Sequence, residues 1–429
     1  MGSGPGTKMR IVYRRSDAAR WFSAFVPLIP ILQYYVSPIG AFNAATFLAV
    51  CFLALFILNF IFFSRGRVFL NLNLLPAFGY LFYMTLNVIV TGWYYSYPIS
   101  WNSCNTYIRL VLLFTALLFF GYGYFDREYA LRVLTGLVVV CSVMILVQDV
   151  LYYGFSHGIN MNIPALLTVP EYSEIKFRFS ALYMEPAHFA QSAVLCLFLR
   201  IFSEERSRSD LIQNMIILTG VALSGSGQGY LFLGFLYLFW IMYSFAQKRI
   251  SRNQLFFILF VTFSAVLSIL FLLQLDVVRQ SFARILGQNG ILDSTAFVGR
   301  TYTNVFFSEM SADARWLGVG FGHQFDVVNR GLYINSFYSH LIQCGYTGAV
   351  LLLFLLLVLF IRGDAGVKAF IPVYALMIYF ASGAGVMELC FYFLFLLPAK
   401  NERTPQDTVL RTRPEISRRL RSRIPPSNA

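Results

Sequence analysis

Apolar runs of about twenty residues, interrupted by short polar breaks, fill most of this chain. A charge-poor apolar helix of about 20 residues is long enough to cross a lipid bilayer. Of the 429 residues, 58% are hydrophobic and only 12% are charged, and the mean hydropathy is +0.65. This pattern excludes a water-soluble domain and predicts an all-α, polytopic membrane protein.

The apolar periodicity and the polar breaks predict about twelve transmembrane helices within a single membrane domain, residues 21–397. Three predicted spans are short, so half-helices or re-entrant segments are the alternative for 211–223, 368–382 and 386–397. The full set of predicted spans is 21–36, 41–63, 68–92, 106–125, 132–153, 186–203, 211–223, 228–246, 254–275, 336–361, 368–382 and 386–397.

The two ends of the chain are predicted to lie outside this domain, in the cytoplasm. Residues 1–20 form a cytoplasmic N-terminus, in which 1–8 resemble an expression-vector remnant. Residues 398–429 form a basic tail rich in Pro and Arg, which predicts disorder. With both ends inside, 25 of the 33 Lys and Arg residues fall on the cytoplasmic side, as the positive-inside rule requires.

The same topology leaves two long outer loops, 154–185 and 276–335, the second lying between the ninth and tenth spans. The cytoplasmic loops are all short, which excludes a cytosolic domain that uses a nucleotide. The net charge of +13 is explained by cytoplasmic anchoring, so no nucleic-acid partner is predicted. The six cysteines show no metal-ligand spacing, and no acidic pair follows the first outer loop, so neither a metal nor another cofactor is expected.

Residues 177–192, FRFSALYMEPAHFAQS, place ionisable groups ahead of an apolar run that reads as a helix bound for lipid. Pro186 suits the first position of that helix, with Glu185 at its boundary and His188 in its first turn. Ionisable groups at membrane depth cost about 3 kcal/mol or more and usually face a cavity or a partner. The alternative for Glu185 is an interfacial cap that compensates the helix dipole and pairs with Arg178.

A second candidate stretch lies at 298–326 in the large outer loop. Arg300, Arg315 and His323 accompany a glycine-rich turn, residues 318–322, whose glycines permit close approach of the backbone. A third stretch, 333–348, begins a predicted helix with Asn335 and His340. For the glycines of this third stretch, helix packing through small residues is the alternative, and a buried structural histidine is the alternative for His340.

Together these stretches resemble the superfamily of O-antigen ligases and O-antigen or exopolysaccharide polymerases (Wzy-type). The resemblance covers residues 170–362. It rests on the segment from Arg178 to Ala190, which includes Glu-Pro-Ala-His-Phe-Ala, on Gly299-Arg300 followed by Leu317-Gly-Val-Gly-Phe-Gly322, and on Asn335 with Gly345 and Gly348. In the ligases a histidine precedes that asparagine, whereas here Ile334 occupies its place, and this favours a polymerase.

The resemblance implies a GT-C-like fold in the bacterial inner membrane and a metal-independent glycosyltransferase reaction. Its substrate would be an undecaprenyl-diphosphate-linked oligosaccharide, with membrane lipid and a chain-length co-polymerase as further partners. Arginines suit bidentate phosphate contact, so Arg178, Arg300 and Arg315 are the candidate ligands of the diphosphate leaving group.

The acceptor hydroxyl needs a general base, for which Glu185 comes first, followed by His340 and His323. Tyr183, His188 and Asn335 are the candidates for contact with sugar or lipid. Two functions remain as alternatives: a ligase that transfers glycan to lipid A core, and a flippase or other transporter of lipid-linked oligosaccharide. A transporter is expected to show repeated halves with charges near the bilayer midplane, and the sequence shows no internal repeat.

Overall fold

A computed structural model describes residues 15–38, 43–63, 74–94, 101–159, 161, 178–202, 208–246, 307–320, 336–380 and 386–397. These residues all belong to the compact unit that ends at Leu397. The described residues are 86% helical and contain no β-strand. The predicted span 254–275 and the predicted tail 398–429 lie outside the described residues.

Thirteen α-helices are described, and most of them overlap the predicted apolar spans, whereas α10 lies in the predicted outer loop 276–335. They are α1 (Arg15–Phe25), α2 (Ile29–Leu32), α3 (Ala44–Phe63), α4 (Leu75–Tyr94), α5 (Trp101–Gly121), α6 (Arg127–Asp149), α7 (Pro186–Ile201), α8 (Arg208–Leu223), α9 (Gly227–Ala246), α10 (Ala312–Leu317), α11 (Ser336–Arg362), α12 (Ala365–Phe380) and α13 (Val386–Leu396).

Two departures from regular α-helix are notable. The predicted span 21–36 is divided into α1 and α2 by a 3₁₀ turn at Val26–Leu28 that contains a proline, because proline removes a backbone donor. After α6 the chain continues into a π-helical turn, Val150–Gly154. Such turns are rare and often occur at functional sites.

Four helical segments within the described ranges are long and apolar enough to cross a membrane: Ala44–Phe62, Arg127–Gly154, Gly227–Phe245 and His340–Arg362. Shorter apolar helices accompany them, and the long helices carry large exposed apolar side chains, such as Leu58 and Phe62 on α3 and Leu353 and Phe354 on α11. The protein is therefore a helical membrane protein. The number of spans, about twelve, and the placement of the loops stay predictions.

Helix α7 lies at the centre of the fold, where it is packed by α6, α8, α9 and α12. Every residue from His188 to Leu199 is buried. A helix that is apolar on all sides is either buried in protein or surrounded by lipid, and the sequence alone suggested lipid. The structure corrects this expectation, because α7 is enclosed by other helices and its polar first turn is surrounded by protein.

One end of α7 is held by a set of matched polar groups, which we call the Arg200 cluster. The guanidinium of Arg200 donates to four side-chain oxygens at 2.8–3.0 Å. These acceptors are Asp210, Gln213 and Asn214 of α8 and Thr135 of α6. Arg127, the first residue of α6, forms an ion pair with Asp364, which directly precedes α12.

Candidate functional site

The opposite end of α7 begins at Glu185, as the sequence predicts. Pro186 occupies the first turn, and the extended backbone of Glu185 makes it the N-cap residue. Its carbonyl oxygen accepts from the amides of His188 and Phe189 at 3.1 and 3.3 Å. The carboxylate, by contrast, makes no capping hydrogen bond. A hydrogen-bonded cap therefore does not explain why a glutamate stands here, although the helix dipole still favours its charge.

His188 is buried in the first turn of α7, with 9% of its surface exposed. Its ring stacks on Tyr34, which follows α2, with 5.2 Å between the ring centroids and an interplanar angle of 22°. Its Nε2 atom lies 3.3 Å from the hydroxyl of Tyr34. Its Nδ1 atom is buried and has no hydrogen-bond partner within the described ranges. A buried ring nitrogen of this kind costs stability, so it is suited to meet a ligand.

Tyr183 occupies a different environment from the one expected of a residue that contacts sugar. It is fully buried and packs edge-on against Phe189 at 5.7 Å between centroids. Burial raises the pKa of its phenol well above the usual range. This placement favours a packing role beneath the loop, and the sugar-contact role stays a prediction.

The loop that leads into α7 is tied to α6 by Gln148, which the sequence analysis did not single out. The side-chain amide of Gln148 donates to the carbonyl of Ile159 at 2.9 Å, and its oxygen accepts from the amide of Ala181 at 3.3 Å. Ala181 has a φ of 52°, a left-handed conformation that disfavours residues other than glycine. Gln148 thus holds both ends of the loop region that precedes Glu185.

Next to Gln148, the last residue of α6 is Asp149. Its Oδ2 atom is buried and without a hydrogen-bond partner in the part of the chain that the structure describes. On the neighbouring helix α9, Gln228 accepts from the side-chain amide of Gln191 at 3.3 Å. We call this set the α7-start cluster: Gln148, Asp149, Ala181, Glu185, His188, Gln191 and Gln228.

The second predicted group lies where α4, α10 and α11 meet. Within the long helix α11, Gly345 has φ 63° and ψ −170°, which interrupts the helix. In an unbroken helix the carbonyls just before this point would accept from residues four positions ahead. Instead the carbonyls of Ile342 and Gln343 accept from the amides of Val319 and Gly320 at 2.8 and 2.9 Å.

Two glycines make this junction between loop and helix possible. A β-carbon on Gly318 would lie 2.2 Å from the carbonyl oxygen of Gln343, and one on Gly345 would lie 2.3 Å from that of Trp316. Both residues also have positive φ, which other residues adopt only at a cost. The glycine-rich turn and the glycine of the third predicted stretch are therefore two halves of one contact.

Two side chains of α4 complete this junction. The hydroxyl of Tyr83 donates to the carbonyl of Cys344 at 2.8 Å, and the side-chain amide of Asn87 donates to the carbonyl of Leu317 at 2.5 Å. Three consecutive carbonyls at the break, Ile342 to Cys344, thus receive donors from outside α11. The break is therefore a structural joint in which each of these carbonyls has a donor.

His340 lies in the same region and is 6% exposed. The hydroxyl of Tyr80 lies 3.4 Å from both of its ring nitrogens, and a β-carbon on Gly348 would lie 3.3 Å from its Nε2 atom. These contacts favour the buried structural histidine over a general base. Arg315 is half-buried in α10, close in sequence to the junction.

The described contacts therefore place the predicted residues in two groups. Glu185 and His188 belong to the α7-start cluster, with Tyr183 packed beneath it. His340 lies at the junction around Gly345, and Arg315 lies on α10, which packs against α11. Arg178 is half-buried and lies in the last part of the loop before α7. The remaining predicted residues, Arg300, His323 and Asn335, lie outside the described residues.

Within the described ranges, no group of three His, Cys, Asp or Glu residues is placed to hold a metal ion. The fold and the two groups define the class of the protein as a helical membrane protein with polar residues gathered at one end of a buried helix. No protein-family model matches the chain, and no curated protein gives a significant match.

Proposed function

We propose that this protein is a metal-independent membrane glycosyltransferase. It polymerises polyprenyl-diphosphate-linked oligosaccharide repeat units into O-antigen or a related surface polysaccharide. The observation that carries the proposal is the α7-start cluster, where the carboxylate of Glu185, which makes no capping hydrogen bond, and the buried Nδ1 atom of His188 follow Arg178 along the chain. The resemblance of residues 170–362 to Wzy-type polymerases supports the same function.

The reaction needs cations at the leaving group and a base at the nucleophile. Arg178 and Arg300, with Arg315 third, neutralise the diphosphate as the bond between it and the donor sugar breaks. Glu185 takes the proton from the acceptor hydroxyl. His340 and His323 follow Glu185 as candidate bases, and the contacts of His340 with Tyr80 place it last.

Contact with sugar or lipid falls to the uncharged polar groups. His188 supplies a ring nitrogen that is buried and available, and Asn335 and Tyr183 are the other candidates. The donor is already activated by its diphosphate, so the proposed reaction uses no nucleotide, metal or other cofactor.

The proposed setting is the outer face of a bacterial inner membrane, with about twelve spans in a GT-C-like arrangement, both termini in the cytoplasm and a chain-length co-polymerase as partner. In this topology the α7-start cluster faces outward. The exposed residues His157 and Ser209 provide a matched test in a background whose native cysteines are replaced. A membrane-impermeant maleimide is expected to label His157→Cys but not Ser209→Cys in intact cells. The reverse labelling would place the cluster on the wrong side for this function.

A transporter of lipid-linked oligosaccharide is the second candidate, because transporters use interrupted helices at their binding sites and α11 is interrupted at Gly345. In transporters the carbonyls at such breaks coordinate ions. Here the carbonyls of Ile342, Gln343 and Cys344 already accept from Val319, Gly320 and Tyr83. These hydrogen bonds explain the break as a structural joint between loop and helix, and this favours the enzyme.

One reconstitution separates the three functions. The purified protein is incubated in liposomes with synthetic undecaprenyl-diphosphate repeat units, and the products are resolved by size. A ladder of polymers is expected. Product only after the addition of lipid A core would mean a ligase, and translocation without any new glycosidic bond would mean a transporter.

Two substitutions then test the assigned roles. Arg178→Ala is expected to lower polymer formation at least about 100-fold, since removing a charge that stabilises a leaving group costs roughly 3 kcal/mol or more. Arg132→Ala is the control, because Arg132 is an exposed arginine near the start of α6 and should elongate normally. Glu185→Gln should abolish turnover while the protein still inserts; normal turnover would leave Glu185 as a structural residue.

A further inference from the structure

Asp149 is a carboxylate that the proposed mechanism leaves unused. It is the last residue of α6, and its buried Oδ2 atom has no hydrogen-bond partner among the described residues. Buried polar atoms are almost always hydrogen-bonded, so each exception calls for a reason. An acidic residue within a membrane protein is expensive and usually marks a substrate pathway.

The side chains near Asp149 are aromatic or already donate hydrogen bonds to other groups. The side chains of Tyr153 and Tyr230 are near enough to interact electrostatically with its carboxylate. The hydroxyl of Tyr230 is already donated to the carbonyl of Ala222 at 2.7 Å. The side-chain amide of the adjacent Gln148 donates a hydrogen bond to the carbonyl of Ile159. Neither bond involves the Oδ2 atom of Asp149, which has no partner among the described residues and can accept from another molecule.

The surroundings of Asp149 suit a sugar. Tyr153 is 52% exposed, and it belongs to the π-helical turn Val150–Gly154 that begins directly after Asp149. Ligand sites combine aromatic walls with a few well-placed polar groups. A carboxylate oxygen beside an exposed aromatic ring can accept from a sugar hydroxyl while the ring contacts the apolar face of the sugar.

Asp149 is also linked to the loop that carries the proposed diphosphate ligand. The ring of Tyr152 lies against that of Phe179, with 5.5 Å between centroids, and Phe179 directly follows Arg178. A carboxylate repels a diphosphate, so Asp149 is unsuited to bind the charged end of the donor. A neutral, hydroxyl-rich acceptor sugar meets no such repulsion.

We propose that Asp149 forms the acceptor subsite, in which its Oδ2 atom accepts a hydrogen bond from a hydroxyl of the acceptor sugar. This inference rests on the proposed polymerase function and deepens it by assigning a residue to the second substrate. Asp149 positions the acceptor, and the proton transfer remains with Glu185.

The test requires donor and acceptor to be varied separately. The donor is a lipid-diphosphate repeat unit whose acceptor hydroxyl is methylated, and the acceptor is the same unit carrying a non-cleavable phosphonate. A single transfer between them is then measured. Asp149→Asn is expected to raise the KM for the acceptor about 10- to 100-fold, the loss of one hydrogen bond to a charged group. The KM for the donor should stay unchanged and kcat nearly so.

Matched variants show whether the effect belongs to the carboxylate. Tyr230→Phe removes only a hydroxyl that is bonded to Ala222, and Asp313→Asn changes an exposed acid on α10; both should keep the wild-type acceptor KM. Asp149→Glu retains the charge one methylene further out and should give an intermediate KM. Thermal unfolding of Asp149→Asn should occur at or above the wild-type temperature, because no bond of the Oδ2 atom is lost.

The outcomes are distinguishable from failure of the proposed function. If the wild-type protein forms no transfer product, the polymerase proposal fails and this inference fails with it. If the wild-type protein is active and Asp149→Asn keeps the wild-type acceptor KM, only this inference is overturned. An equal rise in donor KM, or a loss of thermal stability in Asp149→Asn, would likewise overturn it, in favour of a donor site or a structural role.

Discussion

The Arg200 cluster and the α7-start cluster lie at opposite ends of the same buried helix, and they differ in whether their polar groups are hydrogen-bonded. Arg200 has four side-chain acceptors at hydrogen-bond distance. At the other end, Asp149 and His188 each keep a buried atom without a partner in the described ranges. Because buried polar groups cost stability unless matched, the first arrangement serves folding, and the second is favourable only when a ligand completes it.

The largest effect that would test this contrast is expected from Arg200→Ala. Removing Arg200 from this partly buried network leaves its acceptors unmatched and costs up to about 3–5 kcal/mol in the free energy of unfolding, the range for a buried pair. Unfolding in detergent, followed by circular dichroism, measures it, with Arg132→Ala as the exposed control. If Arg200→Ala unfolded like the wild-type protein, the distinction between a structural end and a ligand-binding end of α7 would be contradicted.

Gln148 is the member of the α7-start cluster expected to behave like Arg200. Gln148→Ala strips a partner from the carbonyl of Ile159 and from the amide of Ala181. Two unsatisfied backbone groups cost about 2–4 kcal/mol together. Hydrogen exchange at the Ala181 amide should accelerate, while Gln213→Ala, which removes one of four acceptors of Arg200, should cost less. Unchanged exchange would show that the loop is held by other contacts.

His188→Phe should separate stability from function. Phenylalanine keeps the stacking on Tyr34 but removes both ring nitrogens, one of which has no partner in the described part of the chain. The free energy of unfolding should change by less than about 1 kcal/mol, whereas polymer formation should fall at least about 10-fold. Loss of stability with retained polymer formation would show that His188 has a structural role instead.

The smallest effect is expected at the ion pair between Arg127 and Asp364. Burial alone would raise the pKa of the Asp364 carboxyl, but Arg127 and the amides of Val367 and Gly366 outweigh it and hold the pKa below its ordinary value of 3.8. Since the folded-state pKa is the lower one, the contribution is present above about pH 4 and is lost as the pH falls through the folded-state pKa.

The carboxylate of Asp364 is 52% exposed, so solvent limits the pair to less than about 1 kcal/mol. Thermal unfolding measured from pH 6 down to pH 3 should therefore show a small extra loss in the wild-type protein that Asp364→Asn lacks. Identical pH profiles for the two proteins would show that this ion pair does not contribute to stability.

Much of the helical layout could be predicted from sequence because lipid requires long apolar helices. The start of α7 at Pro186 follows from proline's preference for the first turn. The enclosure of α7 could not be predicted, since an apolar helix reads the same whether it faces lipid or protein. The break at Gly345 was also missed, because small residues in a membrane helix are explained equally well by close packing.

The candidate site was predicted in part. Glu185 and His188 stood out as polar residues at the start of an apolar run. Gln148 and Asp149 were missed because they close the apolar run 132–153, although an adjacent glutamine and aspartate inside a predicted span was a visible signal. Their importance depends on which neighbours are already bonded, and this emerges only from the tertiary structure.

The joint at Gly345 also bears on how the chain is built during translation. Two carbonyls of α11, those of Ile342 and Gln343, accept from Val319 and Gly320, and bare carbonyls in hydrocarbon cost several kcal/mol each. The ribosome makes 312–320 before it makes α11, so the donors already exist when the helix enters the membrane. The donors for these two carbonyls are therefore synthesised before the carbonyls themselves.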